Sequence, residues 1–147
     1  MGSCGDKGLT MKILLIEDDQ VDAMAFTRAV SLSSPNDSVT VVRDGEEAIE
    51  WLSRGQEGGL PSLVFLDLNL PRMSGFEVLR KLRDDERLAQ LVVFAYSSSS
   101  HEVDIREAYR YQVAGYLVKS EFQGDSKVLG DLLRIYRSHV ALLPSAV

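Results

Sequence analysis

The sequence predicts an α/β fold, a doubly wound parallel sheet of five strands with helices on both faces. Short apolar runs alternate along the chain with segments of helical periodicity. The runs also lack polar alternation, which is typical of strands buried on both faces. Parallel strands need crossover connections, and helices between successive runs supply them. With 147 residues, 45% of them apolar, the chain has the size and core of one domain.

Five apolar runs are predicted to form the strands. They are 12–16 (KILLI), 38–42 (SVTVV), 63–68 (LVFLDL), 91–96 (LVVFAY) and 114–118 (AGYLV). Each is short enough for a strand. None approaches the roughly 20 apolar residues that a membrane-spanning helix needs, so no membrane segment is expected.

Helices are predicted between these runs and after the last one. Three of them begin with a pattern that resembles a capping box, in which an acid follows the cap by three residues: Asp44 with Glu47, Ser74 with Glu77, and Ser99 with Glu102. The faces expected to pack on the sheet are Phe26, Ala29 and Val30; Ala48, Ile49 and Leu52; Phe76, Leu79 and Leu82; and Ile105, Ala108 and Tyr109. A last helix is expected over about 125–140.

The ends of the chain are predicted to be tails. Residues 1–10, which are glycine-rich and include the lone Cys4, are expected to be disordered; the domain is expected over 11–140, followed by a tail at 141–147. The beginning of the chain does not resemble a secretory signal, so a cytoplasmic protein is expected. A net charge of −6 argues against a nucleic-acid-binding surface. No output domain is expected after the predicted domain.

Polar residues lie at the ends of the predicted strands. Glu17 and Asp18 follow the first, Asp67 lies at the end of the third, Ser97 follows the fourth and Lys119 follows the fifth. Because ligands of open parallel sheets bind at the carboxyl ends of the strands, we expect these side chains to form one site.

This set of residues indicates phosphoryl chemistry. Asp67 lies in an apolar run, where an unpaired carboxylate is costly to bury. Nearby acids repel it, and Mg²⁺ with oxygen ligands, together with Lys119, would offset that repulsion. A carboxylate can act as a nucleophile and form an aspartyl phosphate, whose charge the metal and the lysine would neutralise. The hydroxyl of Ser97 could donate a hydrogen bond to a phosphoryl oxygen.

The segments ILLIEDD, LVFLDLNLPRMSGFEVL, VVFAYS and GYLVKS resemble the signature segments of response-regulator receiver domains, and the resemblance extends over about residues 11–137. It implies a flavodoxin-like (βα)5 fold with strand order 2-1-3-4-5. It also implies a phosphoacceptor that takes its phosphoryl group from a histidine kinase. Such a protein assists its own phosphorylation and dephosphorylation but is not an enzyme in the usual sense.

The resemblance assigns four residues to phosphorylation and metal binding. Asp67 matches the phosphoacceptor. Asp18 matches the direct Mg²⁺ ligand, Glu17 an acid that acts through water, and Asn69 the position whose backbone carbonyl binds the metal.

The resemblance also assigns the residues of the switch. Ser97 matches the switch hydroxyl, Tyr116 the aromatic residue that swings inward on activation, and Lys119 the lysine of the site. The family usually has proline after this lysine, with a cis bond, whereas this chain has Ser120. A non-proline cis bond costs about 2.5–4 kcal/mol, so we expect Lys119–Ser120 to be trans.

Narrower cues resemble single-domain regulators of phytochrome-type histidine kinases. They are the LDLNLPR and KS segments, the loop around 53–61 and the LLP near the carboxyl terminus. They imply a phytochrome-type kinase as partner.

The last helix predicts a homodimer, because its apolar residues form two adjacent stripes and a surface helix needs only one. The stripe expected to pack on the sheet is Val128, Leu132, Ile135 and His139. The stripe expected to face a second copy, with the tail, is Leu129, Leu133, Tyr136 and Val140.

Two other functions remain open from the residues alone. The first is a small phosphatase that resembles the haloacid-dehalogenase group, whose members usually carry a second aspartate two residues after the nucleophile. Asn69 occupies that position here, which argues against turnover. The second is a binding module that keeps the fold but is never phosphorylated, against which the full set of strand-end residues argues.

Overall fold

A computed structural model describes residues 10–55, 59–123 and 125–143 of the chain. Its strands are β1 (Lys12–Ile16), β2 (Ser38–Val42), β3 (Leu63–Leu66), β4 (Val93–Ser97) and β5 (Gly115–Val118). The predictions made for residues 1–9, including Cys4, for loop residues 56–58 and for tail residues 144–147 lie outside the described residues.

The strands form one parallel sheet in the order β2-β1-β3-β4-β5, which confirms the predicted topology. The order reverses at β1, because the chain first adds β2 on one side and then β3, β4 and β5 on the other. Ile16 pairs with both Val42 and Leu66, and Ser97 pairs with Val118. The residues that follow these strands therefore meet at one edge of the sheet.

Six helices connect or follow the strands in the described residues. They are α1 (Gln20–Ser33), α2 (Gly45–Arg54), α3 (Gly75–Asp84), α4 (Glu102–Arg110), α5 (Lys119–Gln123) and α6 (Ser126–His139). None of them is long and apolar enough to cross a membrane.

Two of the three predicted capping boxes have their cap bond. Asp44 accepts a hydrogen bond from the backbone of Glu47, and Ser74 accepts one from that of Glu77. The third prediction was wrong, because α4 begins at Glu102 and His101 occupies the cap position without a side-chain hydrogen bond. The hydroxyl of Ser99 lies too early in the loop to cap the helix.

Each face of the sheet has its own core, because alternate residues of a strand point to opposite faces. Leu14, Ile16, Val64 and Leu66 pack against α2, α3 and α4 on one face. On the other face Ile13, Leu15, Phe65 and Phe94 pack against α1 and α6, with stacked rings of Phe65 and Phe94 at 5.2 Å. The buried residues predicted for α1, α2 and α3 lie in these cores, whereas Tyr109 of α4 is half exposed.

Burial is not uniform across the sheet. The strands β3 and β4 are fully buried, as predicted, but the edge strands β2 and β5 are only partly covered. An edge strand has a neighbour on one side only, so its apolar run does not imply burial of the whole strand.

Most apolar residues of α6 lie on the side opposite to the one predicted, although Leu132 packs against the core and Val140 is exposed, as predicted. Leu129 and Leu133 are buried and Tyr136 packs edge-on against Phe94, whereas Val128 and Ile135 are exposed.

Close packing against α1 sets this rotation. A Cβ at Gly130 would lie 2.6 Å from the Cβ of Ser33, so a glycine lets the two helices approach here. Seven residues later and on the same side of α6, Arg137 bonds to Ser34 and Asp37 beyond the end of α1.

The connection from β5 to α5 differs from the predicted pattern of one helix after each strand. Lys119 is the first residue of α5, so a short helix precedes the predicted last helix. None of the described peptide bonds is cis, and the Lys119–Ser120 bond is therefore trans, as predicted.

Candidate functional site

The predicted strand-end residues gather at the carboxyl edge of the sheet. Glu17, Asp67, Ser97 and Lys119 are all buried, with Ser97 completely covered, whereas Asp18 is exposed. The amide of Asp67 donates to the carbonyl of Ile16 at 3.0 Å, which fixes the end of β3 beside the end of β1. Central strands therefore hold the acids, and the edge strand β5 brings the lysine to them.

Lys119 is the positive centre of the site. Its Nζ lies 2.6 Å from Oε1 of Glu17, 2.9 Å from Oδ2 of Asp22 and 3.1 Å from Oδ2 of Asp67. Sequence reasoning did not assign Asp22 to the site. The sequence feature that could have indicated Asp22 is its place in the first turn of α1, shortly after the acids that follow β1.

Backbone amides orient the acidic side chains. The amide of Asn69 donates to Oδ1 of Asp67 at 3.0 Å, and the amide of Asp19 donates to Oε2 of Glu17 at 3.1 Å. The side chain of Asn69 is exposed. Gly75 allows the loop after Asp67 to fold back, because a Cβ there would lie 2.5 Å from the carbonyl oxygen of Asp67.

The local charge is unbalanced. Burial, and then the neighbouring carboxyl of Asp67, raise the pKa of Glu17 to about 8. Burial lowers the pKa of Lys119, but its bonds to Asp22 and Glu17 outweigh burial and raise the pKa above the ordinary value. Burial raises the pKa of Asp22, but the hydrogen bonds that it accepts from Lys119 and Gln123 have the larger effect. The pKa of Asp22 therefore lies below its ordinary value. The single ammonium of Lys119 is therefore in contact with three carboxyl groups.

The carboxyls of Glu17, Asp18 and Asp67 suit a hard cation. Each offers one oxygen, and these oxygens lie within 4.8 Å of one another. Oε1 of Glu17 has an ionic contact with Lys119 but no hydrogen bond of good geometry, so a buried acceptor remains unsatisfied. Oxygen ligands and excess negative charge are the conditions under which proteins bind Mg²⁺ or Ca²⁺.

Ser97 and Tyr116 meet at the loop after β4 and not at the acids. Oγ of Ser97 accepts a hydrogen bond from the amide of Ser99 at 3.1 Å. The hydroxyl of the half-buried Tyr116 donates to the carbonyl of the same residue, Ser99, at 2.9 Å. The hydroxyl of Ser99 in turn bonds Asp104 of α4 at 2.6 Å. This loop therefore links the end of β4 to β5 and α4.

Residues 13–127 match the family model described as the response regulator receiver domain. The chain belongs to this family. The match covers all of the strands except the first residue of β1, and all of the acids, hydroxyls and the lysine described above.

The receiver is related to the single-domain phytochrome response regulators. The structure of the phosphorylated cyanobacterial phytochrome response regulator RcpA is 33% identical, with a TM-score of 0.80 over 92% of this chain and 99% of that one. Response regulator Rcp1 of Synechocystis sp. is 32% identical over 111 residues, 74% of this chain and 76% of Rcp1. Its Mn²⁺-bound structure has a TM-score of 0.78 at 28% identity, over 92% of this chain and 99% of that one.

A third relative is named for a different process. The probable methanogenesis regulatory protein FilR2 of Methanothrix harundinacea is 38% identical over 109 residues, which are 73% of this chain and 70% of FilR2. The same receiver sequence pattern therefore occurs in regulators named for different processes.

Proposed function

We propose that this receiver is a phosphorylation switch that accepts a phosphoryl group from a histidine kinase on Asp67. The observation that carries the proposal is the pairing of Asp67, a buried strand-end carboxylate, with a buried lysine, where Asp67 is also one of three carboxyls whose oxygens suit a cation. Burying Asp67 and Lys119 costs desolvation free energy that their mutual attraction does not always offset, so such a pair is weak evidence for a purely stabilising role. Phosphoryl transfer uses both, one as nucleophile and one as counter-charge.

The metal of this reaction is proposed to be Mg²⁺. Asp18 and Asp67 would bind it directly, Glu17 through water and Asn69 through its backbone carbonyl. The oxygen ligands support this choice, as does the Mn²⁺ in the structure of Rcp1, because Mg²⁺ and Mn²⁺ favour the same ligand type. When bound, the cation neutralises charge on the transferring phosphoryl group.

The proposed reaction is a direct displacement at phosphorus. A carboxylate oxygen of Asp67 forms the new P–O bond as the P–N bond to the imidazole of the kinase histidine breaks, and the imidazole leaves with the electron pair. Lys119, already 3.1 Å from Asp67, faces the phosphoryl oxygens. The hydroxyl of Ser97 would donate to a phosphoryl oxygen, while its oxygen accepts from the amide of Ser99. A phosphoryl group would thereby be linked to the loop that Tyr116 also holds.

Hydrolysis of the acyl phosphate resets the switch. Water attacks phosphorus, the P–O bond to Asp67 breaks, and inorganic phosphate and the carboxylate are restored. Lys119 would stabilise the charge on the phosphoryl oxygens in this step as in the first, so the receiver would contribute to its own dephosphorylation.

Acetyl phosphate with Mg²⁺, followed by intact mass spectrometry, tests the proposal. We expect the wild type to gain one phosphoryl group and Asp67→Asn to gain none. Glu50→Gln, which neutralises an exposed acid on α2, is the matched control and should label normally. Continuous release of phosphate without a labelled protein would indicate the phosphatase instead, and no reaction would indicate the inert binding module.

A phytochrome-type histidine kinase in the cytoplasm is the proposed donor. The relation to RcpA, a phytochrome response regulator, supports it. Phosphotransfer from a panel of purified kinases tests it, and transfer from other classes at equal rates would contradict it.

We also propose that the receiver forms a homodimer through the exposed side of α6. Val128, Ile135, Val140 and Leu143 are exposed apolar side chains on this helix and the segment after it, and Ile135 is 45% exposed. The stripe first assigned to a partner packs on the sheet, so this outer stripe takes its place. A second copy would cover it.

Light scattering at micromolar concentration tests the dimer. We expect Ile135→Glu to produce a monomer without loss of folding. Val103→Glu is the matched control, because it places the same charge on an equally apolar and even more exposed residue of α4. A monomeric wild type, or a dimer that survives Ile135→Glu, would refute the proposal.

A further inference from the structure

Asp22 holds the lysine of the site from outside the candidate metal cluster. It lies in the first turn of α1, and Oδ2 accepts a hydrogen bond from Nζ of Lys119 at 2.9 Å. Its second oxygen, Oδ1, accepts from Nε2 of Gln123 at the end of α5, also at 2.9 Å. One carboxylate therefore joins α1 to both ends of α5.

This contact restricts a side chain that would otherwise be mobile. Lysine carries its charge on a flexible four-carbon stem with freely rotating donors, so one ion pair does not fix the direction of the ammonium. In this site Nζ contacts Glu17, Asp22 and Asp67, which lie on different elements. Several fixed acceptors define the direction of the ammonium far better than one.

The other acids of the site are not free to take this role. Glu17 and Asp67 both belong to the cluster that can hold a cation, and phosphorylation converts an oxygen of Asp67 into an ester. Asp22 lies outside that cluster and keeps its carboxylate throughout the cycle. It is about one quarter exposed, and its bond from Gln123 holds it against rotation.

We propose that Asp22, braced by Gln123, is a positioning residue that keeps Lys119 directed at the phosphoryl group on Asp67. This inference rests on the proposed function, since it assigns a role within the same reaction. Asp22 acts through Lys119 and does not touch the reacting atoms. Small displacements of an aligned group can slow a reaction by orders of magnitude, so the effect on rate is measurable.

The negative charge of Asp22 has an opposite effect, which the experiment must separate. A carboxylate near the site repels an anionic phosphodonor, so removing it could speed labelling. High ionic strength screens that repulsion between separated charges but leaves the short bond to Lys119 largely intact. Asp22→Ala and Asp22→Asn also remove the same charge, whereas only asparagine retains an acceptor of the same shape.

The test is the initial rate of labelling by acetyl phosphate with saturating Mg²⁺ at high ionic strength. We expect Asp22→Ala to label on the order of tenfold more slowly than the wild type. Asp22→Asn should recover part of that loss. Glu50→Ala, which removes one exposed helical acid elsewhere, should label at the wild-type rate, and thermal melts check that each variant is folded.

Gln123→Ala provides a second route that leaves the charge unchanged. It should slow labelling by a smaller factor in the wild type and have no further effect on labelling in Asp22→Ala, because no carboxylate is left there for Gln123 to brace. The inference would be overturned if Asp22→Ala labelled as fast as the wild type or faster. It would also be overturned if Asp22→Ala and Asp22→Asn labelled at equal rates. If the wild type itself fails to label, the proposed function fails. If the wild type labels and the Asp22 variants label at the same rate, only the role of Asp22 is refuted.

Discussion

The receiver buries two charged clusters at opposite ends of its sheet, and they are built differently. At the amino end, Arg137 of α6 pairs with Asp37, which directly precedes β2. At the carboxyl end, Lys119 pairs with Glu17 and Asp67. Both clusters join elements far apart in sequence, and both have buried carboxylates.

The cluster at the amino end is balanced and satisfied. One oxygen of Asp37 accepts from the amide of Met11 at 2.9 Å and the other from Arg137 at 2.6 Å, while Arg137 also bonds Ser34. One positive charge meets one negative charge, and each carboxylate oxygen has a donor. Such a cluster has no excess negative charge for a cation to offset, and its bonds hold α6 against the segment before β2.

The cluster at the carboxyl end of the sheet has more acidic groups than basic ones. Lys119 faces three carboxyls, and Oε1 of Glu17 lacks an aligned donor. The comparison indicates that the balance of charge, more than burial itself, separates a structural ion pair from a site prepared for a cation and a phosphoryl group. Three predictions test this distinction, from the largest expected effect to the smallest.

Removing an acid from the balanced cluster should destabilise the protein. Asp37→Ala leaves Arg137 without its carboxylate in a mostly covered position, and we expect a loss of about 3 kcal/mol in the free energy of unfolding. Urea denaturation measures it. Ser34→Ala, which removes one hydrogen bond from the same arginine, should cost about 1 kcal/mol.

The labelling rate of folded Asp37→Ala should equal that of the wild type, since the cluster lies at the other end of the sheet. A stability change below that of Ser34→Ala would contradict the structural role.

The unbalanced cluster should make stability depend on pH. The pKa of Glu17 is raised to about 8 in the folded protein from an ordinary value of 4.5. Between these values the unfolded chain has lost the proton that the folded protein keeps, so stability falls as the pH rises through this window and levels off above it. We expect this fall in stability in the metal-free protein.

Urea denaturation in the presence of a chelator, at several pH values from 5 to 9, measures this dependence. Glu17→Gln carries no titrating proton and should flatten the curve over the same window. A variant curve parallel to that of the wild type would assign the dependence to other groups.

The smallest effect should be a gain in stability. Asp18→Asn removes one acid from a repelling cluster, and because Asp18 is exposed we expect only about 0.5–1 kcal/mol of stabilisation without metal. The variant should also lose the thermal stabilisation that Mg²⁺ gives the wild type. Asp19→Asn, which changes the neighbouring helix cap of α1, is the control that should keep the Mg²⁺ effect. Full metal-dependent stabilisation of Asp18→Asn would contradict its assignment as a ligand.

Much of the architecture was predictable because it depends on local patterns. Apolar runs and helix starts gave the order of elements, and the parallel arrangement brought Glu17, Asp67 and Lys119 to one edge. These predictions require only that strand ends meet, which any parallel sheet ensures.

The features that were missed depend on how elements rotate and reach one another. The side of α6 that meets the sheet follows from Gly130 against Ser33, a contact between helices about a hundred residues apart. The bond between Arg137 and Asp37 spans 100 residues, and that between Lys119 and Asp22 spans 97. Asp22 is one of several acids in a short segment, and local periodicity does not indicate which of them turns inward.

The edge position of β5 has a consequence for how the domain would transmit a signal. β3, which precedes Asp67, has strands on both sides and is fully buried, whereas β5 has one neighbour and is half covered. We expect amide hydrogens of β3 to exchange with solvent only on global unfolding, and those of β5 to exchange earlier through local opening. The acceptor thus follows a rigid central strand, while Tyr116 and the segment leading to Lys119 belong to a more compliant edge of the sheet.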